Sequence, residues 1–93
     1  MDTATVLVLV KARLNRLASD TSLDDYLIKR IDGAIAEIEG IGIVLDPDSN
    51  DDLMLVVDYT VWQYQSRDTS GAMPDWLRLR RRERWIREGM KDA

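Results

Sequence analysis

Apolar positions recur along the chain at helical spacing in four stretches separated by short polar breaks, and this pattern predicts an all-α fold. Val6, Val10, Leu14 and Leu17 mark a first helix from about Val6 to Ala18; its alternating Val/Leu start also suits a strand, but length and the later leucines favour helix. Ser22, followed three residues on by Asp25, suits a capped helix start. Leu23, Leu27, Ile31, Ala34, Ile35 and Ile38 then form one stripe opposite Asp25, Lys29, Asp32 and Glu39. Gly40 and Gly42 end that helix, and Ile43 to Leu45 reads as a brief extended piece before the turn at Asp46-Pro47-Asp48.

Ser49 or Asn50 can cap a third helix, about Asp51 to Ser66, with Leu53, Val56, Val57, Thr60, Val61 and Tyr64 in one arc. Leu55, Tyr59 and Trp62 form a second apolar patch nearly opposite, leaving a narrow polar stripe around Asp58 and Gln65. A helix apolar on two sides is either central in its domain or pressed against a neighbour. Leu55, Tyr59 and Trp62 are accordingly the expected subunit interface. Arg67 to Met73 reads as a loop, and Pro74 opens a fourth helix. Trp76, Leu79, Ile86 and Met90 share an arc of that helix, while Trp85 projects away from it among Arg78, Arg81 and Arg82.

Ninety-three residues, 45% hydrophobic and 32% charged, describe a single domain over 1–93. A chain of this length buries only about 60–65% of its unfolded surface, so association with copies is a natural source of further stability. The net charge of −4 hides a polarity: residues 1–59 carry twelve acids and five bases, residues 60–93 eight bases and five acids. Such an arrangement suits head-to-tail pairing of acidic and basic ends.

With no Cys and no His, the chain has no thiolate nucleophile, no imidazole base and no sulfur or nitrogen ligand for zinc. The acidic run Asp46 to Asp52 starts like a calcium loop, but Asp51 stands where glycine is needed and Val57 where a bidentate Glu is needed. Asp24 and Asp25 are adjacent and diverge on a helix, which favours a helix N-terminus over acid/base chemistry. No catalytic residue, cofactor or metal is expected, and the chain is expected not to be an enzyme. Apolar runs of five residues, Val6–Val10 and Leu53–Val57, are far below the roughly 18–20 that span a bilayer. A start at Asp2 with Lys11 and Arg13 following argues against a secretory signal.

The fourth helix carries Arg78, Arg80, Arg81, Arg82, Arg84 and Arg87. Phosphate contacts with DNA, docking to an acidic protein, and a plain solvated face balanced by Glu83 and Glu88 are the three readings. A DNA-reading helix concentrates its cations on one face, whereas these surround the helix. Trp85 among arginines suits an interface anchor.

Taken in order, several segments resemble a known family. They are the leading helix with Leu7, Leu14 and Leu17, and the run Leu23-Asp24-Asp25-Tyr26-Leu27-Ile28 leading into Ile31, Ala34, Ile35 and Ile38. The block Asp52 to Tyr64 follows, and then Arg67-Asp68 and Gly71-Ala72-Met73-Pro74-Asp75-Trp76-Leu77. The chain resembles the small head-tail connector, or adaptor, proteins of long-tailed bacteriophages and prophages. That resemblance implies an all-α subunit in a ring of about twelve copies beneath the portal protein, following portal symmetry. It also implies a further contact with a neck or tail completion protein, and genomic DNA threading the channel without sequence-specific binding. The expected place is the virion head-tail junction, assembled in the bacterial cytoplasm. Arg78, Arg81, Arg82 and Trp85 are then the expected surface for the portal or a neighbour. The rivals are a small DNA-binding regulator using the basic helix, and a helical scaffold domain with no phage role.

Overall fold

A computed structural model describes residues 1–69 and 71–91 of the chain. Among these residues it contains four helices and no strands: α1 (Thr3–Arg13), α2 (Asp24–Gly40), α3 (Asn50–Gln65) and α4 (Asp75–Met90). The first three pack on one another, and α4 lies against α3.

Asp2 caps α1, accepting from the Ala4 amide at 3.1 Å and from the Thr5 hydroxyl at 2.8 Å. The helix stops at Arg13, short of the Ala18 expected, because Asn15 takes a left-handed conformation (φ 58°). The Asn15 and Arg16 amides turn back onto the carbonyls of Ala12 (3.1 Å) and Lys11 (2.9 Å), satisfying two groups a helix end leaves open. Lys11, 5% exposed, then ties the α1–α2 turn to the start of α2, donating to the Ala18 carbonyl at 3.1 Å and pairing with Asp24 at 2.9 Å.

The expected Ser22 cap is not made. Its hydroxyl donates to Asp20 at 2.7 Å, so the turn is closed by Asp20, and Leu23 precedes α2 without a side-chain cap. The hydrogen bonds that Asp20 accepts from the Ser22 hydroxyl and, at 3.1 Å, from its amide, and after them the charges of Arg16 and Lys11, hold the Asp20 carboxyl below the usual range despite some desolvation. Asp24 and Asp25 still favour the positive helix end. Leu27, Ile31, Ala34 and Ile38 are fully buried, so the predicted stripe is the core face of α2. Gly42 supplies the positive φ (103°) that turns the chain away. The segment after it has no strand partner: the Val44 amide donates to Glu88 at 2.7 Å and its carbonyl accepts from Arg84 at 2.7 Å. Side chains of α4 thus supply what a ladder would have supplied.

Ser49 caps α3 as read, its hydroxyl accepting from the Asp52 amide at 3.2 Å. Every residue from Leu55 to Val61 is buried, which makes α3 the central helix. The Thr60 hydroxyl inside this run donates to the Val56 carbonyl at 2.8 Å.

Of the three residues expected to form a subunit interface on α3, the single chain itself covers two and part of the third. Leu55 and Tyr59 are only 2% and 4% exposed within a single chain, and Trp62 is half-buried with its ring edge-on to Tyr59 at 5.7 Å. The second apolar patch of α3 is used internally, beside α4. The Tyr59 hydroxyl donates to Glu37 at 2.5 Å and the Arg81 guanidinium stands 6.0 Å from its ring centre. Burial, then the hydrogen bond to the Glu37 carboxylate, pushes this phenol up to about 12 from an ordinary 10.0. Because the folded value is raised, the contact contributes stability below about pH 10 and loses it as the pH rises toward 12. Absorbance titration should show a tyrosinate step centred near pH 12 that Tyr59→Phe removes; an unchanged profile in that variant would reject the assignment.

Candidate docking surface

The way α4 sits determines what the protein shows to the outside. Its inward face holds one fully buried apolar side chain, Leu77, and below it a run of charged groups. Arg84, 5% exposed, grips the buried Asp52 carboxylate with two hydrogen bonds, 2.7 Å from Nε and 3.1 Å from Nη2. The same Nη2 reaches Glu88 at 3.3 Å. Burial alone would raise the Asp52 carboxyl, but Arg84, the Asp46 amide at 2.8 Å and the nearby arginine charges hold it below the usual range. Arg84 in turn is held more firmly protonated, first by its hydrogen bond to Asp52. The Val44 amide is the first cause that lowers the Glu88 carboxyl.

Higher on α4, Arg80 meets Arg13 of α1 across the two oxygens of Asp58, a residue buried in α3. Three helices are thereby tied at one carboxylate. Two of the six arginines on the basic helix, Arg80 and Arg84, are thus interior clamps, and Asp52 and Asp58 are their counterparts. Sequence reading had Asp52 only as the end of the acidic run that opens α3, and Asp58 on a polar stripe. The available signal was the spacing of Leu77, Arg80, Arg84 and Glu88, one helical face carrying both charges and a leucine.

With charge facing inward, the apolar arc faces out. Trp76, Leu79, Ile86 and Met90 are 44–66% exposed, and Trp85 beside them is 51% exposed. Ile41 and Val44, from the segment next to α4, are exposed as well. Isolated exposed apolar residues are ordinary, but a set gathered on one helix and its neighbouring turn is a candidate interaction surface.

The residues expected to dock a partner come together here. Arg78, Arg81, Arg82 and Trp85 line one groove of about 400 Å³ whose remaining wall is Ile41. Ile41 follows α2 and was not foreseen, since nothing local in the sequence links it to α4. Trp85 also borders a second hollow with Gly42, Ile86, Glu88 and Gly89, so its indole stands as a ridge between two depressions. Arg78 pairs with Asp75 at 2.8 Å, Arg81 is half-buried over Tyr59, and Arg82 is exposed with no ion pair among the described residues. Such a groove can take apolar side chains against Trp85 and Ile41 while its arginines meet carboxylates. Comparison with known proteins finds no family model, no curated protein and no solved structure that matches this chain.

Proposed function

We propose that the protein is a structural virion subunit, a head-tail connector that docks on the portal and joins the packaged capsid to the neck or tail. The carrying observation is the groove of Trp85, Ile41, Arg78, Arg81 and Arg82 on a helix that turns its apolar arc to solvent. An indole anchor surrounded by guanidinium groups is the composition of protein-binding hot spots. The resemblance to connector proteins supplies the partner: the portal on one side, a neck or tail completion protein on the other. Assembly is a cyclic ring of about twelve copies, a closed arrangement in which each subunit uses two different patches. Genomic DNA passes through its channel without base-specific contacts.

A DNA-reading role is disfavoured by where the arginines go. Arg80 and Arg84 are committed to Asp58 and Asp52, and the remaining Arg78, Arg81, Arg82 and Arg87 are spread around α4 with no single phosphate-facing side.

The test is capture by the cognate portal, imaged by electron microscopy and quantified by sedimentation. Arg81→Glu with Arg82→Glu should weaken capture at least about 30-fold while leaving helix content intact, the usual scale for reversing charge at a buried contact. Normal capture by this variant would reject the assignment. A salt-sensitive duplex mobility shift at micromolar protein, without portal capture, would favour the regulator instead.

A further inference from the structure

The groove accounts for one flank of α4 and leaves the outward arc of Trp76, Leu79, Ile86 and Met90 without a partner. These bulky residues form a ridge, with Arg82 exposed along one edge, Arg87 along the other and Glu83 exposed among them. A surface that complements a ridge of this kind is flat, built from small residues and bordered by acids. This chain has one. On the outward side of α2, Gly33, Ala36 and Gly40 are all exposed, and Asp25, Asp32 and Glu39 run beside them at seven-residue spacing. None of these three carboxylates makes an ion pair among the described residues; Lys29 lies within the strip, and the exposed Tyr26, bonded to Arg30 at 2.8 Å, borders its other side.

The glycines sharpen the argument. Glycine is a destabilising choice in a helix and is retained where something must come close or the backbone must take a positive φ. At Gly33 neither reason operates inside this chain: a Cβ there would meet nothing within 4 Å and its φ is not positive, whereas Gly40 closes α2. Close approach from outside remains. Large side chains over small ones, with arginines meeting unpaired carboxylates, also bring together the basic and acidic parts of the molecule.

We infer that the outward ridge of α4 in one subunit packs on the flat acidic face of α2 in a second copy of the chain. Because two different patches meet, the contact is heterologous and propagates from copy to copy, closing as a ring where the rotation allows. The inference deepens the connector reading by naming the self-contact; Arg82 borders both surfaces, so the two are separated with variants that leave it in place.

The experiment uses sedimentation of the full chain and two blocked variants, Ile86→Asp on the ridge and Gly33→Leu on the flat face. Both sites are exposed, and circular dichroism with thermal melting checks each fold; Leu79→Asp replaces Ile86→Asp if that variant fails to fold, and Ala36→Leu replaces Gly33→Leu on the same ground. Wild-type chain should self-associate at or below about 1 mM, the weakest pairing of interest. Each blocked variant alone should stay monomeric. Mixed together they should form a 1:1 dimer of twice 10.7 kDa and nothing larger, because one intact ridge and one intact face remain. A monomeric wild type, a variant that assembles alone as wild type does, or a mixture that stays monomeric would each overturn the inference. Portal capture by Leu79→Asp, a ridge residue that lines neither hollow beside Trp85, separates the readings: loss of pairing with capture retained leaves the portal contact standing, and wild-type pairing without capture removes the portal contact alone.

Discussion

Arg84→Met is expected to destabilise the chain by about 3–5 kcal/mol, the usual consequence of removing one member of a buried ion pair and stranding the other. Against a total stability of roughly 5–15 kcal/mol for a small domain, most of the folded population is at risk. The loss follows from what Arg84 does: it neutralises a carboxylate that α3 holds inside, satisfies the Val44 carbonyl and reaches Glu88. Adding Asp52→Asn to Arg84→Met should restore much of the loss, since the amide oxygen can still accept from the Asp46 amide while the stranded charge is gone. Urea unfolding of the four members of this double-mutant cycle measures the coupling, and near-additive losses would reject the pair as a unit.

The same pair sets a pH dependence with a definite sign. In the wild type the Asp52 carboxyl is held below its ordinary 3.8, so its contribution is complete above about pH 4 and is lost as the pH falls through the lower folded value. In Arg84→Met burial acts without the guanidinium and raises the carboxyl. The variant should therefore be worst relative to wild type near neutrality, and the gap between their urea midpoints should narrow on acidification. A gap that stays constant from pH 7 to about pH 4 would contradict this.

How far the sequence revealed this molecule depends on what periodicity can say. The stripe Leu27, Ile31, Ala34 and Ile38 was legible because one apolar face stood against one polar face, and such a helix has a single sensible orientation. Ser49 was legible as a cap because its hydroxyl acts on its own helix. For α3, the pattern showed two apolar sides but not what covered the second, and Leu55 and Tyr59 proved to be covered by the chain itself. The end of α1 was missed because a left-handed Asn15 leaves no mark on an apolar count. Arg78, Arg81, Arg82 and Trp85 could be grouped from a helical wheel, whereas Ile41 joins them only through tertiary packing.

The sharpest departure from sequence reasoning is α4, and it yields the second large effect. An apolar arc ordinarily faces the core, so Trp76 and Leu79 would rank as its anchors and Leu77 as incidental. The fold inverts that order: Leu77 is fully buried, while Trp76 and Leu79 are 50% and 51% exposed. The inversion has an energetic source, since rolling α4 to bury its apolar arc would expose Leu77 and pull Arg80 and Arg84 away from Asp58 and Asp52, stranding the Asp52 carboxylate inside α3 and leaving Asp58 with Arg13 alone. Leu77→Ala, measured on dilute chain, should cost about 2–5 kcal/mol, the range for deleting a buried leucine side chain. Trp76→Ala and Leu79→Ala, although the tryptophan is the larger residue, should stay within about 0.5 kcal/mol of wild type. Urea midpoints give the ranking, and hydrogen exchange should show α4 amides losing protection in Leu77→Ala alone. The reverse ranking, with Trp76→Ala the most damaging, would mean that α4 buries its apolar arc, and the exposed ridge would not exist.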